Sequence, residues 1–208
     1  ESAIAHQYGV IESNDGNPTV QTNPALSYTY HNPIHSISSS DGYEEDVMGA
    51  TMDAYLNGFN DPRISVFFQP TMYGEYRGLR NGHKNGDVFK GNTGLSKPNI
   101  LQGTPYVWMT AAEVYFLRAE GALKGWNMNG NAEDLYNAGI RASFQQHGVK
   151  GVESYLASTK TPAKYPGFRS SPSAPAPSNI TVAWSEDSEV EQLEQIITQK
   201  WIAMYPLG

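Results

Sequence analysis

The sequence has no cysteine among its 208 residues, which excludes disulfides, thiol nucleophiles and thiolate metal sites. Cations are scarce: 14 Lys and Arg stand against 21 Asp and Glu, a formal charge of -7 with no basic run. Such a surface repels a phosphate backbone, so nucleic acid is not an expected partner. No stretch approaches the ~18 uninterrupted apolar residues of a membrane-spanning helix. The opening residues Glu1 to His6 have neither the basic start nor the apolar centre of a signal peptide. Apolar residues make up only 39%, whereas glycine (20), proline (13) and tyrosine (13) are abundant. That balance favours a helical core carrying long aromatic-bearing loops over a compact bundle.

Helical periodicity is strongest in the second half. Thr110 and Glu113 have capping-box spacing, and excellent helix formers run on to Lys124, with Ala112, Val114, Tyr115, Leu117, Ala119, Ala122 and Leu123 as the apolar surface. Gly125 ends this helix, and Glu120 is placed to pair with Lys124. A second helix is expected over about Ala132 to His147, burying Leu135, Tyr136, Ala138, Ile140, Ala142 and Phe144. The link between the two is so short that they must run antiparallel. Ser188 with Glu191 caps a last helix, whose face comprises Leu193, Ile196, Ile197, Trp201, Ile202 and Met204. That helix runs into Pro206-Leu207-Gly208 and stops, and the chain opens as abruptly, so both ends are expected to be fragment boundaries.

The first half is less regular. Residues 1 to 43 read as loop with one short strand near Leu26 to Tyr30. A helix is expected from Glu44, with Glu44, Glu45 and Asp46 in its first turn and Val47, Met48, Met52, Tyr55, Leu56 and Phe59 at helical spacing; Gly58 and Asp61-Pro62 stop it. Ile64 to Phe68 reads as a short strand or buried turn. Residues 69 to 105 carry glycine at 74, 78, 82, 86, 91, 94 and 103, a density no regular element tolerates, so this is an irregular excursion of the kind that lines sites. Tyr155 to Ala157 closes a short helical turn, and five prolines between 159 and 179 mark an extended linker. Ile180 to Trp184 reads as extended.

No catalytic constellation emerges. The acids at 41 and 44 to 46 adjoin a helix start, and Glu113 and Glu120 have local explanations in capping and pairing. Of the histidines only His31 and His35 are close, without a metal-ligand series. The glycines at 74, 78, 82 and 86 lack the Gly-Lys-Ser/Thr of a phosphate loop. Capture of a sugar or peptide needs rigid planar groups with hydrogen-bonding heads, and Tyr73, Tyr76, Arg77, Arg80 and His83 supply them on one excursion. Trp126, at the turn of the helix pair, is a weaker candidate. The competing role for the excursion residues is packing of the loop against helices, and for Trp126 it is capping the apolar seam of the helix pair.

Four segments resemble the SusD/RagB family of outer-membrane nutrient-binding lipoproteins of Bacteroidetes. They are Asp61-Pro62-Arg63 with Phe67-Phe68; Tyr76-Arg77-Gly78; Thr110 to Glu120 continuing to Gly125-Trp126; and Leu193 to Ala203. The last two are long and specific. The resemblance implies a mainly α chain, a SusD-like fold of tetratricopeptide-like helix pairs with an irregular loop-rich subdomain. Residues 1–208 would then be a partial domain, with a loop-rich 1–105 and a helical-repeat 106–208. It further implies non-catalytic capture of a glycan or oligopeptide at the extracellular face of the outer membrane. Delivery would be to a SusC-like TonB-dependent transporter, and attachment through a lipid anchor that is absent from this chain. No cofactor is expected, with a structural Ca2+ left open. A helical scaffold binding another protein without a small ligand, or a polysaccharide hydrolase, are the rival readings.

Overall fold

The computed structural model describes residues 1–38, 46–82 and 94–207. In chain order the α-helices are α1 (Pro33–Ser38), α2 (Ala50–Gly58), α3 (Ile64–Phe67), α4 (Ala111–Leu123), α5 (Ala132–Gln146), α6 (Val152–Leu156) and α7 (Glu189–Ala203). Among the described residues the one sheet pairs β1 (Thr19–Val20) with β2 (Tyr106–Val107). The fold is therefore mainly α, as expected. The chain forms two compact units: Glu1–Val20, Val107–Thr159 and Ile180–Gly208 make the first, Gln21–Tyr106 and Lys160–Asn179 the second.

The first unit is built on the α4–α5 hairpin. The Thr110 side chain accepts the Glu113 N–H at 3.0 Å, Asn131 accepts the Asp134 N–H at 2.8 Å, and Ser188 accepts the Glu191 N–H, so each long helix starts on a side-chain cap. Gly125 leaves α4 at φ +78°, a left-handed turn that glycine adopts without steric cost. Phe116, near the middle of α4, meets Gly139, near the middle of α5, as two antiparallel helices require; a Cβ at 139 would lie 2.8 Å from the Phe116 ring. Phe116 and Tyr136 pack edge to face with centroids 6.1 Å apart, and the Tyr136 hydroxyl donates to the Val182 carbonyl at 2.8 Å. Helix α7 packs against both.

Which side chains face inward differs from expectation. In α4 the centre of the buried face is Phe116, with Ala111, Ala112 and Ala119, whereas Leu117 is 44% exposed. Arg118 is buried because its guanidinium satisfies the α4–α5 turn: Nε donates to the Met128 carbonyl and Nη2 to the Asn129 carbonyl, at 3.1 and 3.2 Å. Glu120 pairs with Lys200 of α7 at 3.8 Å, where pairing with Lys124 was expected. In α7 the buried face includes Gln195, Thr198 and Gln199, while Ile197 is exposed. Gln195 Nε2 donates to the Thr181 and Ala183 carbonyls at 3.0 and 2.7 Å. An amide inside this seam stabilises an irregular neighbour whose carbonyls would otherwise lack donors. The segment Ile180 to Trp184 belongs to no regular element, although Ile180 and Val182 are buried.

The second unit departs further from the reading of its residues. The segment near Leu26 to Tyr30, expected as a strand, holds a 3-10 turn at Tyr28–Tyr30, and the strand lies instead at Thr19–Val20. A further helix, α1, occupies Pro33–Ser38, with proline at its first position. Helix α2 starts at Ala50, later than the expected Glu44, because the Met48 backbone bonds to Ser96 and Leu79 and Gly49 bridges to Leu79. Glu44 and Glu45 lie outside the described residues; the acid in the first turn of α2 is Asp53. Of the two readings of Ile64 to Phe68, strand or buried turn, the turn is the one found: Ile64–Phe67 is one turn of helix with Phe67 buried. The proline-bearing stretch read as an extended linker folds back on itself, with antiparallel bridges pairing Tyr165 with Ala174 and Phe168 with Ser171. Its prolines fall outside those four positions, so no bridging donor is lost.

Candidate functional site

The glycine-rich excursion is held at its base by backbone hydrogen bonds. Met48 N–H donates to the Ser96 carbonyl, Leu79 N–H to Met48, and Ala50 N–H to Leu79, each at 2.8 Å. Ser96 N–H donates to the Arg77 carbonyl at 2.9 Å, and the Ser96 hydroxyl accepts the Arg77 N–H at 3.1 Å. Three chain segments thus meet around residues 77–79. Gly78 is needed for this approach, since a Cβ there would come within 2.6 Å of the Gly49 carbonyl oxygen. Leu79 and Leu95 form a small apolar cluster with Val47 and Phe168.

On that base the candidate residues take different positions. Tyr73 stands at the tip of a turn closed by Gly74 N–H donating to the Thr71 carbonyl at 2.9 Å, and the ring is 72% exposed. Met72 beside it is likewise exposed. Tyr76 is half-buried on the strand-like run into Gly78. Arg77 is tied down: it pairs with Glu75, and its guanidinium carbon lies 5.4 Å from the centre of the Phe168 ring. Arg80 is exposed. His83 lies outside the described residues. Tyr73, Tyr76, Arg77 and Arg80 therefore belong to one stretch of the second unit. Trp126 belongs to the first unit, where its N–H donates to the Gly121 carbonyl at 3.0 Å and its indole is 56% exposed.

A residue that the periodicity passed over is Asp53. Its carboxylate is buried on α2, where Oδ2 accepts the Gly78 N–H at 2.7 Å and Oδ1 accepts from Asn57 Nδ2 at 2.6 Å. Burial pushes the Asp53 carboxyl above the ordinary aspartate range; the Gly78 and Asn57 hydrogen bonds and the Arg77 charge oppose this, and Glu75 adds to it. Burial also raises the Tyr165 phenol. The signal was available in the sequence as an acid among Met52, Tyr55 and Leu56 at helical spacing. Among the described residues no three His, Asp or Glu side chains group as a metal set.

A family model described as SusD-like, the Susd and RagB outer membrane lipoproteins, matches residues 1–208. The chain belongs to the SusD-like family. The place of that family is the bacterial outer membrane. Solved structures agree with the assignment. A chitin-binding SusD homolog from Flavobacterium johnsoniae is 40% identical to this SusD-like chain, with a TM-score of 0.89 over 100% of it. A SusD homolog from Bacteroides thetaiotaomicron is 39% identical with a TM-score of 0.83 over 96%, and one from Bacteroides vulgatus 37% identical with 0.86 over 98%. The SusD-like chain spans 42% of the length of each of these three. No curated protein matches it.

Proposed function

We propose that the complete SusD-like protein captures a glycan at the cell surface without converting it, and passes it to a SusC-like TonB-dependent transporter. The observation carrying this reading is the likeness, over the whole chain, to a structure described as chitin-binding. Chito-oligosaccharide is therefore the ligand class to try first. An N-acetylglucosamine chain offers apolar ring faces to aromatic side chains and hydroxyls to polar heads. An exposed Tyr73, a neighbouring Tyr76 and the cationic Arg77 and Arg80 supply that chemistry. A contribution from His83 belongs to the same proposal, as do a separate ligand contact at Trp126, attachment through a lipid anchor and the absence of any required cofactor.

Calorimetric titration of the full-length protein with chitohexaose, other glycans and oligopeptides tests this, with the sugar recovered afterwards and analysed. The expected result is saturable binding of chitohexaose, recovered intact. Binding of oligopeptides alone would move the ligand class to peptide. Shortened sugar products would make the protein a hydrolase and reject capture without conversion.

A further inference from the structure

The run from Tyr76 to Gly78 is gripped on both sides of Arg77 by a single turn of helix α2. Asn57 Nδ2 donates one hydrogen to Asp53 Oδ1 at 2.6 Å and another to the Tyr76 carbonyl at 3.1 Å. Asp53 Oδ2 takes the Gly78 N–H at 2.7 Å. Asp53 and Asn57 stand four residues apart, one above the other on the helix. A carboxylate that is only 7% exposed is a costly choice for this position. An apolar side chain would bury there without that cost, but it could grip neither backbone group.

We propose that Asp53 and Asn57 form one positioning latch, which fixes the backbone on either side of Arg77 and so sets the direction in which Tyr76 and Arg77 meet a ligand. Asp53 supplies two acceptors to two donors, and Asn57 spends both amide hydrogens, so changing Asp53 turns the Asn57 amide away from Tyr76, whereas removing Asn57 leaves the Asp53–Gly78 bond in place. The groups around Arg77 complete the arrangement: Glu75 pairs with its guanidinium, and Phe168 lies beneath it. Neither Asp53 nor Asn57 needs to touch the ligand. The inference rests on the proposal that this excursion is the capture surface.

Asp53→Asn keeps an amide oxygen for Gly78 but sets a donor against Asn57, whose amide must then turn and release Tyr76. Asn57→Ala releases Tyr76 directly. Two measurements on the full-length protein test the latch. The first, without ligand, is the amide proton resonance of Gly78, which a short bond to a carboxylate holds downfield; it should move in Asp53→Asn and stay in Asn57→Ala. The second is chitohexaose affinity: each single variant should lose about tenfold, and the double variant no more than either single, because both release the same carbonyl. Additive losses, or a Gly78 resonance that ignores Asp53→Asn, would overturn the latch. Wild-type protein that ignores chitohexaose while Gly78 responds as described would sink the glycan reading and support the latch.

Discussion

The two units of this chain are stabilised by different physics. In the first, helices with side-chain caps pack through small residues, and the central contact is the Phe116 ring against the bare backbone of Gly139. In the second, chain segments far apart in sequence exchange backbone hydrogen bonds around Gly78, which also donates to the buried Asp53, and a separate buried ion pair joins Asp61 to Arg63. Helical packing rests mainly on apolar burial and local bonding, so it tolerates rotation of a face. A network of paired buried polar groups tolerates loss of a member poorly. The loop-rich unit is therefore the less forgiving of substitution, and the place where a specific surface can be held in one shape.

The largest test of that contrast is Arg63. Its guanidinium and the Asp61 carboxylate are fully buried, bridged at 2.6 Å, with Nε donating to Asp61 Oδ1 at 3.0 Å. Arg63→Ala leaves a buried carboxylate without this partner and should cost about 3–5 kcal/mol, read by urea denaturation. A loss below about 1 kcal/mol, the scale of an exposed pair, would remove the buried ion pair from the account of the second unit. Gly139→Ala is the counterpart in the first unit. Its Cβ would press on the Phe116 ring at 2.8 Å, and overpacking of this kind costs about 1–3 kcal/mol. An unchanged denaturation midpoint would mean that α4 and α5 do not meet through this pair.

The smallest expected effect is a drift with pH. Burial holds the folded carboxyl of Asp53 above its unfolded value. Its contribution to stability is thus present in full below the unfolded pKa and lost as pH rises through the folded one. Asp53→Asn is neutral throughout, so its stability relative to wild type should improve from acidic to neutral pH. Thermal melts of both proteins across that range check the direction, and an Asp53→Asn stability that falls relative to wild type toward neutrality would contradict the burial of the charge.

Legibility in the sequence followed the same division. Thr110 and Ser188 are local signals, read within four residues, and helices begin at each. The starts of α4 and α7 were legible for this reason. Burial within those helices was less so: Arg118 and Gln195 are polar residues turned inward by carbonyls of irregular neighbours, which no periodicity encodes. In the second unit the late start of α2 and the fold-back of residues 165–174 depend on partners elsewhere in the chain. The tyrosines and arginines of the excursion were found by composition, whereas Asp53, which holds their backbone, shows in the sequence only as a lone acid on an apolar helical face.

In the proposed function the Tyr73 to Arg80 run of the second unit captures the ligand. The most direct test of this is chitohexaose titration of full-length Tyr73→Ala and Tyr76→Ala proteins, each with a thermal melt. The account predicts an affinity loss of about tenfold or more for each, as for an aromatic anchor, with wild-type melting temperatures. Wild-type affinity in both variants would contradict it.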